Sequence, residues 1–235
     1  MMIIGITGPI AAGKSRAAVI LRRIGWVVHD SDQAVHRAYR NPAVISRIAD
    51  HLPSVIRAGQ IDRQALADRI IKQAEVLDVL ENIVHPIVRE DLVRNVQLCL
   101  RHRRRGFIID SPLLYEAGLD SWCDRVIRLA TPARIRRMRV ARRSARALAL
   151  FDLFESRRGR RRTSPVRGAR RRRWSRRTHH MNQTNHADAV IQGHGDSGSN
   201  ARLLRRLVQG WLRSERLRSK GGRLPQALPK RRKVW

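Results

Sequence analysis

The stretch IIGITGPIAAGKS, residues 3–15, decides how the rest of the chain is read. Its first half is a short apolar run ending in glycine, the pattern of a buried strand in a parallel sheet. Gly8–Ser15, GPIAAGKS, then follows the spacing G-x-x-x-x-G-K-[ST]. Glycines at those positions let the backbone curl so that successive N–H groups face an anion. Lys14 supplies a mobile cation, and the Ser15 hydroxyl is an oxygen ligand suited to Mg²⁺. Directly after it, KSRAAVILRRIG has helical spacing and stops at Gly25, so the loop also receives the positive end of a helix. Strand before and helix after make this a phosphate cradle, with Gly8, Ala11, Ala12, Gly13, Lys14, Ser15 and Arg16 expected around the phosphates of ATP or GTP.

Working outward, WVVHDSD (26–32) reads as a second strand ending in carboxylates, and QAVHRAYR (33–40) opens a helix that stops near Asn41-Pro42. Residues 43–104 have a helical pattern nearly throughout, interrupted by Pro86. GFIIDSP (106–112) is a third strand and RVIRLA (125–130) a fourth, followed by a helix with Pro132 in its first turn. Alternating strands and helices predict an α/β, P-loop NTPase-like parallel sheet flanked by helices, with a helical substrate-binding insertion. The expected organisation is one domain over 1–212: a core of 1–32, 105–143 and 186–212, an insertion at 33–104, and a lid region at 144–185. A basic tail at 213–235 is expected to be disordered.

Composition narrows the function. Of 235 residues, 50 are Lys or Arg against 19 Asp or Glu, a net charge of +31. Such a charge favours polyanions, but the excess is concentrated in SRRGRRRTSPVRGARRRRWSRRTHH (156–180), which holds no acid. Two cysteines, Cys99 and Cys123, are too few for a disulfide framework. No apolar run approaches the ~18 residues of a membrane span. A cytoplasmic setting is expected, with no membrane partner and no specific nucleic acid.

A phosphate cradle does not by itself identify the acceptor. No N-K-x-D guanine-reading motif occurs. A P-loop protein of this size with a helical insertion points to a small-molecule kinase, in which a carboxylate at the end of the second strand orients the acceptor hydroxyl. Asp30 and Asp32 stand there; on an extended chain, residues two apart face the same side. Asp32 or Ser31 is equally suited to cap the following helix. Asp110, ending an apolar strand, is a second candidate Mg²⁺ ligand or a strand-end cap. The apolar PLLYE (112–116) just beyond it suits a pocket for an apolar part of a substrate.

Together, GITGPIAAGKS, VVHDSDQAVH, GQIDRQALADRI, LENIVHP and IIDSPLLYEAGLDSWCDRVIRL resemble the dephospho-CoA kinase family in order and approximate spacing. The likeness covers residues 1 to about 143 and, more faintly, about 186–212. It implies ATP-dependent phosphorylation of the ribose 3′-hydroxyl of dephospho-CoA, the last step of coenzyme A synthesis, with ATP and Mg²⁺ as cofactors. It further implies Asp32 as general base or acceptor-orienting group beside Lys14. On the substrate side it implies His85, Pro86 and Arg89, with Leu113, Leu114, Tyr115 and Glu116 in a substrate-side loop. Without the family, His85 reads as a packing residue beside Pro86.

Two departures stand out. Where the family loop is usually GGIGSGKS, this one carries Pro9, Ala11 and Ala12. Between about 144 and 182 the family's helical lid gives way to Arg runs with little periodicity, before a family-like pattern returns at ADAVIQ (187–192). Collapse and recovery of this kind are expected from two compensating frameshifts in a GC-rich gene. Arg139, Arg142 and Arg143 precede the break and are the lid-side candidates for charge near the phosphates. The alternatives are another P-loop nucleoside or small-molecule kinase, or a basic protein with incidental nucleic-acid affinity.

Overall fold

The structure is a computed structural model and describes residues 1–163, 187–192 and 197–219. In chain order its elements are β1 (Met2–Thr7), α1 (Lys14–Arg23), β2 (Val27–Asp30), α2 (Ser31–Ala38), α3 (Pro42–His51), β3 (Ile56–Arg57), β4 (Gln60–Ile61), α4 (Arg63–Lys72), α5 (Val76–Arg101), β5 (Gly106–Asp110), β6 (Arg125–Ala130), α6 (Ala133–Ala141), α7 (Ala145–Thr163), β7 (Ala189–Gln192) and α8 (Ser197–Ser219). They form two compact units. One contains Met1–Val28, Cys99–Ala130 and the described residues from Asp188 onward; the other contains His29–Leu98 and the described residues from Thr131.

The first unit is the expected parallel α/β core. The main sheet has five strands in the order β2-β5-β1-β6-β7. β1 lies in its middle, parallel to β5 on one side (Ile6 opposite Asp110) and to β6 on the other (Thr7 opposite Arg128). The chain thus leaves β1 toward one edge and later returns on β1's other side. That switch opens a crevice beyond the carboxyl ends of the strands. The core is aliphatic, as the scarcity of aromatics requires: Ile4, Ile6, Leu21 and Ile127 are fully buried. The aromatic Trp26 lies over Gly106, where any Cβ would come within 2.4 Å of its ring.

The return of order after the arginine-rich stretch is a real part of this core. β7 pairs in parallel with β6, Ile127 opposite Ala189. Asp188 accepts a 2.8 Å hydrogen bond from the Val126 amide. Leu204 and Val208 of α8 are buried in the same cluster as β1. The apolar face of α8 (Leu204, Leu207, Val208, Trp211, Leu212) packs on the sheet and ends at 212, while the helix itself runs on to Ser219, into the stretch expected to be disordered.

The second unit is helical, with its own core of Val44, Ile48, Leu66, Ile70, Leu80, Ile83 and Val84. It begins at His29, inside β2, and takes in α6 and α7, which the sequence had assigned to the core and the lid. The run read as helical from 43 to 104 contains a two-stranded hairpin, β3–β4, whose turn Ala58-Gly59 adopts left-handed φ of 48° and 71°. Two-residue stretches carry no legible period, and only the Ala-Gly pair signalled the turn.

Residues 145–156 also depart from expectation. They lack clear periodicity, yet they form the first turns of α7, which packs on α4 and α6. Phe151 is buried, and Leu150 and Leu153 pack against the second core. Around them Arg136 donates from Nη2 to Glu155 at 2.7 Å, Arg137 pairs with Asp152 at 3.1 Å, and Arg146 pairs with Asp68 at 2.6 Å. The remainder of the expected lid (164–186) and the tail from 220 lie outside the described residues. No helix among the described residues is long and apolar enough to cross a membrane.

Candidate functional site

The phosphate-binding half belongs to the first unit. Gly8 follows β1 directly with φ 152°, and a Cβ there would stand 2.6 Å from the Leu129 carbonyl oxygen on β6, so only glycine fits. The loop turns through an Ala12 N–H to Pro9 carbonyl bond of 3.1 Å. Ala12 is buried beneath it. Ala11 has φ 60° and Gly13 φ 105°. Gly13 is the N-cap of α1 and offers it no side-chain cap, so the positive end of the helix faces the loop without a capping side chain. Lys14 donates from Nζ to the Gly8 carbonyl at 3.2 Å, folding its ammonium back over the loop. Ser15 and Arg16 are exposed on the first helical turn.

Asp110 ends β5 opposite Ile6, two residues before Gly8, and is 5% exposed. Ser111 donates its amide to the Ile6 carbonyl at 3.0 Å, which locks this strand end to the root of the loop. Two groups here are hard oxygen donors: the Ser15 hydroxyl on the first turn of α1, after the loop that leaves β1, and the Asp110 carboxylate at the end of β5, the strand paired with β1. Beyond Asp110, Leu113, Tyr115 and Glu116 retain exposure. Leu114 does not: it is fully buried, filling the space over Gly5. Its role is to seat the loop rather than to meet a ligand. Burial raises the Tyr115 phenol above its usual range, aided by Asp120. Cys123, packed over Gly5 and donating to the Leu119 carbonyl, is held as a neutral thiol with its pKa pushed up to about 12 by burial.

The acid-bearing half belongs to the second unit. β2 ends at Asp30, and Ser31 is already the first residue of α2. Asp30 and Asp32 therefore do not share one face of an extended strand; the chain turns between them. Asp30 is half-buried and accepts from the Gln33 amide at 3.0 Å as the N-cap. Asp32 sits exposed in the first helical turn. Asp30 thus ends the strand as the helix cap, and Asp32 projects from the first turn of α2.

α5 carries His85 and Arg89, half-buried, and Pro86, exposed, inside a continuous helix. Of the lid-side arginines, Arg139 is half-buried in the last turn of α6, while Arg142 and Arg143 are exposed just beyond it. Nothing in the local pattern singles out Arg136, the buried member of that series. It is 5% exposed, donates from Nε to the Thr131 carbonyl at 3.0 Å, and lies 5.3 Å from the centre of the Phe151 ring. His29 and Asp91 were also missed. The His29 side chain is 1% exposed, with Nδ1 3.7 Å from Asp91, whose carboxylate takes a 2.7 Å bond from Arg37. Burial lowers the His29 pKa, with Asp91 opposing and Arg37 assisting.

Comparison with known proteins accounts for this arrangement. The family model described as CoaE, dephospho-CoA kinase, matches residues 2–151. The chain is similar to the dephospho-CoA kinase of Rhodospirillum rubrum, 40% identical over 152 residues, which is 64% of this chain and 72% of the relative. Among solved structures it is similar to TT1252 from Thermus thermophilus, with TM-score 0.62 and 27% identity over 89% of this chain and 97% of the other. It also shares its fold with the dephospho-CoA kinase from Campylobacter jejuni, with TM-score 0.53 and 17% identity over 88% and 96% of the two chains. The family match stops at 151, near the onset of the arginine-rich stretch, whereas the structural likeness extends well beyond it. A glycine-gated phosphate loop, an acid locked to its root, and a family model spanning all but the first residue up to 151 lead to one conclusion: the chain belongs to the dephospho-CoA kinase family.

Proposed function

We propose that this chain transfers the terminal phosphoryl group of ATP to the ribose 3′-hydroxyl of dephospho-CoA. The observation that carries the reading is the loop between β1 and α1, built for a polyphosphate, within a chain of this family. In this reading Ala11–Arg16 and the helix end bind the phosphates. The Lys14 ammonium leaves the Gly8 carbonyl for a phosphate oxygen. Such transfer needs little covalent chemistry from the protein; it needs positioning, and cations set against developing charge. Ser15 and Asp110 fit Mg²⁺ as oxygen donors and would hold it; the ion supplies neutralisation of phosphate charge. Asp32, exposed in the first turn of α2, orients the acceptor hydroxyl and receives its proton, with Asp30, the cap of that helix, as an auxiliary acid. His85, Pro86, Arg89, Leu113, Tyr115 and Glu116 bind the acceptor. Arg139, Arg142 and Arg143 supply lid-side charge. The protein acts in the cytoplasm and takes no specific nucleic acid.

The test is CoA formation from ATP and dephospho-CoA by the purified protein, with and without Mg²⁺, alongside a panel of nucleoside and shikimate-type acceptors. CoA appearing only with Mg²⁺ supports the reading; phosphorylation of a nucleoside but not of dephospho-CoA sinks it. Asp30→Asn and Asp32→Asn separate the two acids, the larger loss of kcat being expected for Asp32→Asn.

A further inference from the structure

Within the second unit, one carboxylate joins three elements. Asp91 lies on α5, two residues beyond Arg89 and six beyond His85. Its Oδ2 accepts from Arg37 of α2 at 2.7 Å and stands 3.7 Å from Nδ1 of His29 on β2. Its backbone carbonyl also takes a 2.7 Å bond from the Asn95 side chain, which stiffens this turn of α5. His29 immediately precedes Asp30, and Asp30 caps the helix that carries Arg37.

The His29 ring is not an ordinary core residue. Its side chain is 1% exposed, and neither ring nitrogen has a hydrogen-bond partner. The Ser31 hydroxyl, on the other side of Asp30, is likewise buried without a partner. Buried polar groups are nearly always satisfied, so two orphans flanking one carboxylate call for an explanation. Packing alone would favour a leucine at position 29, since an unsatisfied ring nitrogen costs stability. A histidine one short movement from Asp91 can instead complete a hydrogen bond when the strand end shifts. The charged groups facing the ring are Asp91 from α5, Arg37 from α2 and Asp30 from its own strand.

We infer that Asp91 is a positioning residue: by accepting from Arg37 it ties α2, whose first turn carries Asp32, to the helix bearing His85 and Arg89, fixing the acceptor acid relative to the acceptor-binding face of α5, with the His29 ring poised beside the carboxylate. This rests on the function proposed above, because it presumes that Asp32 and α5 serve the same acceptor. A displacement near 1 Å of such a group can cost up to about 10² in rate, so the tie has kinetic consequences beyond stability.

The experiment uses the full-length protein and the variants Asp91→Asn, Asp91→Glu and Arg37→Gln. Arg37 is exposed, which makes its variant the safer one for folding. Steady-state kinetics are measured with each substrate varied, and His29 is titrated by NMR. For Asp91→Asn we expect kcat to fall roughly tenfold and KM for dephospho-CoA to rise, with KM for ATP unchanged and partial recovery in Asp91→Glu. Arg37→Gln should shift the same parameters in the same direction by less. His29 should titrate at lower pH in Asp91→Asn, since the carboxylate that favours its charged form is gone. A variant that melts earlier but keeps wild-type kcat and KM per folded molecule overturns the inference, as does an unmoved His29 titration. Wild-type protein that makes no CoA overturns the functional reading first and the inference with it, an outcome distinct from active wild type with an indifferent Asp91→Asn.

Discussion

The Lys14 ammonium rests 3.2 Å from the carbonyl oxygen of Gly8, spanning the mouth of the loop that both residues delimit. The cation is therefore stored against a backbone dipole at the place where a phosphate oxygen is to arrive, and it needs only a side-chain rotation to exchange partners. Lys14→Met keeps most of the stem and removes the charge. Its kcat should fall roughly 10²–10³-fold, as when one preorganised donor is lost from a transition-state site. Circular dichroism should be unchanged, because Lys14 contributes no packing to the buried cluster.

Ala11 takes a φ of 60° where a glycine would be unstrained. A left-handed L-residue costs roughly 1–2 kcal/mol, so Ala11→Gly should raise the melting temperature or leave it unchanged, with ATP affinity at least maintained. Gly8→Ala runs the other way. Its Cβ meets backbone at 2.6 Å rather than a movable side chain, so the loop must open and ATP binding should be lost. Isothermal titration of both variants checks the pair; weaker binding by Ala11→Gly would show that the strained alanine serves the ligand.

His29 makes stability depend on pH in a definite direction. Its folded-state pKa lies below the ordinary 6.5 because burial opposes the charge. The unfolded chain therefore binds the proton more readily. Stability is intact above about pH 6.5 and declines as pH falls from there toward the folded-state value. Denaturant unfolding at a series of pH values should show this slope, and His29→Phe should flatten it.

Arg136 is nearly buried and Glu155 is its carboxylate partner at 2.7 Å. Removing one member of a buried pair strands a charge, at a cost of about 3–5 kcal/mol for a fully buried pair. Glu155 is 28% exposed, so water recovers part of that and Glu155→Ala should cost about 2–3 kcal/mol. Arg136→Met should cost less, since it removes the charge and can keep the contact with Phe151. Equal losses in the two variants would argue against the pair as the anchor of α7.

Much of this protein is written in residues 1–130. The order of strands and helices, the phosphate loop and the strand-end acids follow from local periodicity and from glycines that no other residue can replace, and these are properties of short segments. Position 30 was legible as a carboxylate at a strand end. Which of Asp30 and Asp32 occupied that end was not, because it depends on where β2 yields to α2, and one residue decides it. The hairpin at 56–61 was illegible for the same reason: two-residue strands have no period.

Tertiary structure decided what depends on partners distant in the chain. Residues 145–156 show no convincing pattern, yet they fold because Phe151 is buried, Leu150 and Leu153 find the second core, and Glu155 meets the buried Arg136. Arg136 looked like one arginine in an overcharged helix until a carboxylate 19 residues on enclosed it. His29 and Asp91 lie 62 residues apart, and nothing local to either announces the other. The hydrophobic period and the loop chemistry are local, so sequence alone determines them; the burial of a charge is set by whatever folds over it, and only the assembled chain supplies that.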